Sequence, residues 1–320
     1  MSTPLLTVEG LSKHFPISRG LFQRKAGVVR AVNGVSLHID QREVLGLVGE
    51  SGSGKSTLGR MILRLIEPDQ GHVSLDGVDV TALGARDLRR MRRRMQMVFQ
   101  DPNSSLNPRM TIGAALREAL TLHGLAAGRE DARIAELLDM VELPKDSALR
   151  WPREFSGGQR QRIGLVRALA VEPDLIIADE PVSALDVSVQ AQIMKLMGRL
   201  QSDLKLTMLF ITHDLDVVEY LADRIVVMYL GRIVETARTE DLFARPHHPY
   251  TKALLEASPK PDPQQRLKRF GMLGSGAPPA APEAGCAFQA RCPKAGPECA
   301  LSQTPLRAIA ENHLSACIRD

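Results

Sequence analysis

Cysteine is scarce, with four residues in 320. That density is too low for a disulfide scaffold, and in a reducing compartment a metal site or unrelated free thiols are the expected uses. Long apolar runs are missing as well. No stretch approaches the ~18 residues that a membrane-spanning helix needs, and Met1 to Gly10 has no basic region leading into an apolar one. Neither secretion nor self-insertion is expected. There is no repeat period and no sustained heptad pattern, which excludes solenoids and long coiled coils. Charge of one sign is not abundant either: 41 basic residues face 37 acidic ones, for a net +4, and 44% of the chain is hydrophobic. A globular chain of about two domains fits this balance.

The small basic excess has one address. Residues 86–94 (RDLRRMRRR) hold six arginines and one aspartate. Leu88, Met91 and Met95 recur between them at helical spacing, so an amphipathic helix with a solvated basic face explains the run. Contact with anionic headgroups or an acidic partner loop is a second reading. Nucleic acid is a third, weakened because no aromatic side chain is interleaved to stack on bases.

Three short apolar runs, residues 43–48 (EVLGLV), 174–178 (DLIIA) and 206–212 (LTMLFIT), have the character of buried parallel strands. Separated by helix-like segments, they predict an α/β core with sites at the carboxyl ends of the strands. Residues 112–142 predict two helices broken by Gly124 and Gly128, an inserted helical subdomain. Residues 274–285 (GSGAPPAAPEAG) predict a linker.

Directly after the first run, Gly49, Glu50, Ser51, Gly52, Ser53, Gly54, Lys55, Ser56 and Thr57 spell GESGSGKST, and LGRMILRLI follows with helical spacing. Glycines in this pattern let successive N–H groups and a helix N-terminus converge on phosphate oxygens. Lys55 would reach the β- and γ-phosphates, and the Ser56 hydroxyl would ligate Mg²⁺. ATP or GTP binding is expected. Residues 175–180 (LIIADE) form a second apolar strand ending in two carboxylates. Asp179 suits the metal and Glu180 suits activation of an attacking water.

Further motifs identify a family. FSGGQRQR at Phe155 to Arg162 resembles the signature motif of ABC-transporter ATPases. Gln100 in VFQDP resembles the family's Q-loop, Ser183 to Asp186 (SALD) its D-loop, and His213 in FITHD its switch histidine. Phe15 in LSKHFP stands where an aromatic stacks on adenine. The resemblance implies a P-loop NTPase (RecA-like) α/β core with an antiparallel β subdomain and an inserted α-helical signature subdomain at about 101–165, all within a cassette at 5–255. It further implies ATPase activity with ATP and Mg²⁺, the metal organised by Ser56, Gln100 and Asp179. Glu180 and His213 would act at the γ-phosphate together with Lys55. Two cassettes would pack head to tail, so that Ser156, Gly157, Gly158 and Gln159 of one, with Asp186 nearby, cap the nucleotide held by the other. Ser156 as a plain helix N-cap, Gln100 as a polar strand end and His213 as a satisfied strand-end histidine are the structural alternatives for the single residues.

SSLNPRM after Gln100, His248 to Thr251 (HPYT) with KALLEASP behind it, and GCAFQARC near the end resemble the ATPase subunits of peptide and nickel importers. STLGR after Lys55, and Phe155 in place of the usual signature leucine, are most similar to the F-named ATPase subunit of dipeptide and oligopeptide importers. Implied partners are a second ABC ATPase in a heterodimer, two transmembrane permease subunits and an extracytoplasmic substrate-binding protein, but no nucleic acid. The implied location is peripheral, on the cytoplasmic face of the inner membrane. A nickel or other small-solute importer is the alternative within the family. An ABC ATPase acting on nucleic acid or the ribosome, or a non-catalytic nucleotide sensor, would be the alternatives outside transport.

All four cysteines fall in residues 256–320, the expected small C-terminal extension. Cys286, Cys292, Cys299 and Cys317 match neither ferredoxin nor zinc-finger spacing. Chemistry alone leaves zinc, iron–sulfur or unrelated thiols open. The importer resemblance implies a [4Fe-4S] cluster, with zinc as the alternative.

Overall fold

The computed structural model describes residues 4–19, 24–101, 106–257, 284–301 and 304–319. Ser104, Ser105 and residues 274–283 of the expected linker lie outside the described residues. The first elements are β1 (Leu6–Arg19), β2 (Arg24–Ile39), β3 (Val44–Val48), α1 (Lys55–Ile62), β4 (Gln70–Leu75) and β5 (Val78–Asp79). Next come α2 (Ala85–Arg94), β6 (Met95–Val98), α3 (Ile112–Leu122), α4 (Glu130–Met140), α5 (Gly157–Leu169) and β7 (Leu175–Asp179). The chain continues through α6 (Val187–Leu204), β8 (Thr207–Thr212), α7 (Leu215–Leu221), β9 (Arg224–Tyr229), β10 (Arg232–Arg238), α8 (Thr239–Ala244) and α9 (Pro249–Ala257). Two short strands, β11 (Arg307–Ala310) and β12 (His313–Ser315), close it. The residues fall into two compact units whose segments interleave along the chain.

One unit contains residues 82–211 with two short earlier segments. Its strands β6, β7 and β8 are parallel neighbours, with Ala178 opposite Val98 on one side and Phe210 on the other. Every residue of β7 and β8 is buried, as strands covered on both faces require. Helix α6 buries Ile193, Met194, Met197 and Leu200, spaced three and four apart on one stripe. The basic run forms α2, which buries Leu88 and Met91. Its last turn is tied to its own unit: Arg94 pairs with Asp174 and Arg93 donates to the Val171 carbonyl. Helices α3 and α4 stand where two were expected, separated by Gly124 and Gly128 at positive φ.

The other unit contains residues 6–38, 45–81 and 212–320. Here β3 pairs in parallel with β9, β9 pairs antiparallel with β10, and β12 joins β10 with β11 outside it. A second sheet has the order β2-β1-β4-β5, with β1 and β4 antiparallel. Strand β3 (VLGLV) is buried throughout and leads straight into the glycine-rich loop.

Candidate functional site

The glycine-rich loop folds as its chemistry requires. Gly54 begins α1 at φ +104, and a Cβ placed there would lie 2.0 Å from the Ala31 carbonyl oxygen. The N-cap residue is itself a glycine and brings no capping side chain, an arrangement suited to binding anions through backbone N–H groups. Lys55 is 4% exposed. Its Nζ donates to the carbonyls of Gly49 at 2.7 Å and Glu50 at 3.0 Å, arching over the loop it follows. Ser53 Oγ lies 3.4 Å from the same Nζ.

Two contacts on this loop were not foreseen from the sequence. The Glu50 N–H donates to the Tyr250 hydroxyl at 2.8 Å, and the Glu50 carboxylate receives both Nη groups of Arg291, at 2.8 and 2.9 Å. Tyr250 is buried, which raises its phenol pKa above the ordinary value. The HPYT run singled out Tyr250 without a role, and Arg291 stood in GCAFQARC as an unremarked neighbour of Cys292. Separations of 200 and 241 residues leave no local signal for either contact.

In the other unit, buried β7 ends at Asp179, which is 2% exposed. Glu180 follows at φ +47, and its N–H donates to the Ile211 carbonyl at 2.9 Å. The Gln100 side-chain amide donates to Glu180 Oε2 at 3.1 Å, so the structure brings together two of the expected site residues. Ser183 Oγ donates to the Glu180 carbonyl at 3.1 Å. Asp186 caps α6, accepting from the Val189 N–H and the Ser188 hydroxyl. Those hydrogen bonds, the backbone one foremost, hold its carboxyl below the ordinary aspartate range.

The signature residues form a capping box at the start of α5. Ser156 Oγ accepts from the Gln159 N–H at 3.3 Å, and Gln159 Oε1 accepts from the Ser156 N–H at 3.0 Å. A Cβ on Gly158 would sit 2.5 Å from Val189 Cγ1, so glycine there permits close packing against α6. Phe155, the departure from the usual leucine, is 3% exposed and lies under the Arg150 guanidinium at 4.4 Å.

His213 is exposed directly after β8, and Asp214 beside it caps α7. Phe15 is exposed on β1, with Lys13 Nζ 5.8 Å from its ring centroid.

The profile of the ABC transporter family matches residues 32–183, and that of the oligopeptide/dipeptide transporter C-terminal region matches residues 234–299. A Brucella ovis protein named as a peptide import ATP-binding protein is 54% identical over 99% of this chain and 98% of its own length. The oligopeptide transport ATP-binding protein AppF of Bacillus subtilis is 47% identical, over 98% and 96%. The chain belongs to the peptide-import family of ABC transporter ATP-binding proteins. The solved structure of the ABC cassette MJ0796 shares its fold, with a TM-score of 0.65 and 29% identity over 73% of this chain and 98% of that one. So does cbiO1 from Clostridium perfringens, described as part of the ABC transporter complex cbiONQ, at TM-score 0.65 and 26% identity over 76% and 91%. ABC ATPases of this kind use ATP and Mg²⁺, and the phosphate loop and the Gln100–Glu180 pair have the chemistry for both.

Cys286, Cys292 and Cys299 fall within the matched transporter C-terminal region, and Cys317 lies beyond it. Cys286, Cys292, Cys299 and Cys317 line one small cavity of about 20 Å³, with Lys294 and Arg319 also on its wall. All four are free thiols. Burial raises the Cys286 thiol above its ordinary pKa. Among the described residues, however, no group of three or more His, Cys, Asp or Glu side chains is arranged to hold a metal ion. The expected zinc or iron–sulfur site is therefore not supported by ligand geometry; the structure supports convergence of four thiols on one cavity.

The tail is anchored by a buried carboxylate. Glu235 on β10, 0% exposed, accepts from the backbone N–H groups of His247 and His248 at 2.8 and 2.9 Å, and lies 2.8 Å from His313 Nε2 on β12.

Proposed function

We propose that this chain is the ATP-hydrolysing subunit that powers import of di- and oligopeptides through separate permease subunits. It would sit peripherally on the cytoplasmic face of the inner membrane, paired with a second ATPase and fed by a substrate-binding protein. The observation that carries the enzymatic part is the hydrogen bond from Gln100 to Glu180 at the end of a buried strand. It joins a metal-sensing amide to a carboxylate suited to polarising water. Among the described residues no helix is long and apolar enough to cross a membrane, which fits a subunit that depends on membrane partners.

In this reading residues 5–255 form the cassette and 256–320 the importer-specific extension. The loop from Gly49 to Thr57 binds the triphosphate through its N–H groups and Lys55, while Phe15 stacks on the adenine. Ser56, Gln100 and Asp179 would hold Mg²⁺, which when bound screens the β- and γ-phosphate charge. Glu180 polarises the attacking water, a role worth about 10²–10⁴ in rate. His213 contacts the γ-phosphate. Ser156, Gly157, Gly158 and Gln159 offer a capped helix N-terminus to the nucleotide of the partner cassette, and Asp186 sets the segment beside them.

The four cysteines would hold a [4Fe-4S] cluster, whose bonds would fasten a tail with little apolar core of its own. The importer resemblance and the convergence of the thiols on one cavity support this reading, although the ligand geometry among the described residues is not that of a formed site. The transport assignment is tested by reconstituting the chain with its co-purified permeases in vesicles. ATP-dependent uptake of labelled peptide is expected, and ATP turnover without peptide uptake would overturn it.

A further inference from the structure

Glu50 poses a problem for the loop that contains it. A phosphate loop binds a polyanion, yet its second residue here is a carboxylate, and like charges at short range repel by an amount that grows as water is excluded. The structure answers this with a residue 241 positions away. Arg291 places both Nη groups on the two Glu50 oxygens, the bidentate geometry that is strongest for a guanidinium and a carboxylate. Three aromatic rings set the fork. Tyr229 and Tyr250 have centroids 4.5 Å apart, and Phe288 meets each at 5.4 Å. The Arg291 guanidinium carbon lies 5.6 Å from the Phe288 ring centroid and 5.9 Å from that of Tyr229. Tyr250 also occupies the Glu50 N–H, so both ends of this residue are held by groups from beyond the cassette's nucleotide motifs.

We propose that Arg291 is a positioning residue for nucleotide binding: it neutralises Glu50 and turns it aside, so that MgATP meets a phosphate loop without an uncompensated carboxylate. The residue sits between Cys286 and Cys292, on a turn in which the Gln289 N–H donates to the Cys286 carbonyl at 3.1 Å. The cysteine-bearing tail therefore contributes directly to the nucleotide site, and its integrity sets ATP affinity. Arg291 and Glu50 are both partly exposed, 26% and 37% at the side chain. The pair accordingly acts on affinity more than on overall stability.

The proposal rests on residues 49–57 being the ATP-binding loop, and the experiment separates the two. MgATP affinity is measured by titration calorimetry on the purified full chain, and steady-state ATPase activity is measured alongside. Arg291→Met is expected to raise Kd and KM about tenfold with kcat within about twofold, and Arg291→Lys, which keeps the charge but loses the fork, to fall within about threefold of wild type. Glu50→Gln, which removes the charge needing compensation, is expected to weaken binding less than Arg291→Met does, and Glu50→Gln with Arg291→Met to recover most of the affinity that Arg291→Met alone loses. A purely structural clamp gives the opposite pattern: Glu50→Gln weakens binding as much as Arg291→Met and the double variant shows no rescue. That pattern, or unchanged affinity in Arg291→Met, overturns the proposal. Lys55→Ala is the control. Normal MgATP binding in that variant removes the loop assignment itself, whereas lost binding there with unchanged binding in Arg291→Met removes only the role of Arg291.

Discussion

Gln100 donates its side-chain amide to Glu180 Oε2 across 3.1 Å, joining a residue just past β6 to one just past β7. The bond orients the carboxylate that would polarise water. Gln100→Ala should lower ATPase turnover about tenfold, less than the roughly 10²–10⁴ carried by a general base itself, because the amide only positions that base. Gln100 is exposed, so the melting temperature should stay within about a degree or two of wild type. Steady-state ATPase assays beside thermal melts check both halves, and a variant with normal turnover would contradict the role.

Gly54 and Gly52 separate steric necessity from preference. A Cβ on Gly54 would meet a backbone carbonyl at 2.0 Å, whereas one on Gly52, at φ +79, would meet nothing within 4 Å among the described residues. Gly54→Ala should abolish MgATP binding. Gly52→Ala should cost only the left-handed backbone penalty of about 1–2 kcal/mol in stability. Equal behaviour of the two in calorimetric titration and chemical denaturation would show that the loop relaxes around the added methyl.

Glu235 gathers three donors in a site closed to solvent. Glu235→Ala leaves the His247 and His248 N–H groups and the His313 ring without that acceptor, and each buried donor left unsatisfied costs about 1–3 kcal/mol. Urea denaturation should show the loss, and limited proteolysis should cut the tail first. Wild-type resistance would contradict the anchoring role.

Asp186 gives a pH signature. Its carboxyl is held below the ordinary value of 3.8 by the Val189 N–H and the Ser188 hydroxyl. A depressed folded-state pKa means that the contribution is fully present above the unfolded value and is lost as pH falls through the folded one. The gap in melting temperature between wild type and Asp186→Ala should be constant from pH 8 to pH 5, by the same linkage, and should narrow once pH drops below 3.8. A gap that widens on acidification contradicts the cap.

Iron decides the cysteine proposal. Anaerobic purification should give a brown protein whose visible absorbance and iron are lost together on chelation or air exposure, and whose tail becomes easier to proteolyse at that point. A colourless, iron-free preparation made anaerobically would leave four thiols around a cavity and no cluster.

The α/β core was legible because parallel strands buried on both faces read as unbroken apolar runs, as VLGLV, LIIAD and TMLFIT do. The phosphate loop was legible because anion binding by backbone groups fixes glycine and lysine at set intervals. Ser156 carries two meanings at once: it caps a helix in the structure, and in the proposed reading that helix end is offered to the partner's nucleotide, whereas Asp186 caps the neighbouring α6. What stayed hidden depends on distant pairing. Arg291 meets Glu50, and Glu235 in the ordinary strand RIVETAR becomes a buried hub, only because chain segments far apart in sequence fold against one another. The cysteines show the limit from the other side, since their spacing matches no standard motif and only the fold brings them to one cavity.

Glu180→Gln tests the central claim most directly. The substitution keeps the shape of the side chain and an oxygen able to accept from Gln100, but removes the charge that polarises water. MgATP binding measured by calorimetry should stay within about threefold of wild type while steady-state hydrolysis falls at least about a hundredfold. Near-normal hydrolysis in this variant would contradict Glu180 as the catalytic carboxylate.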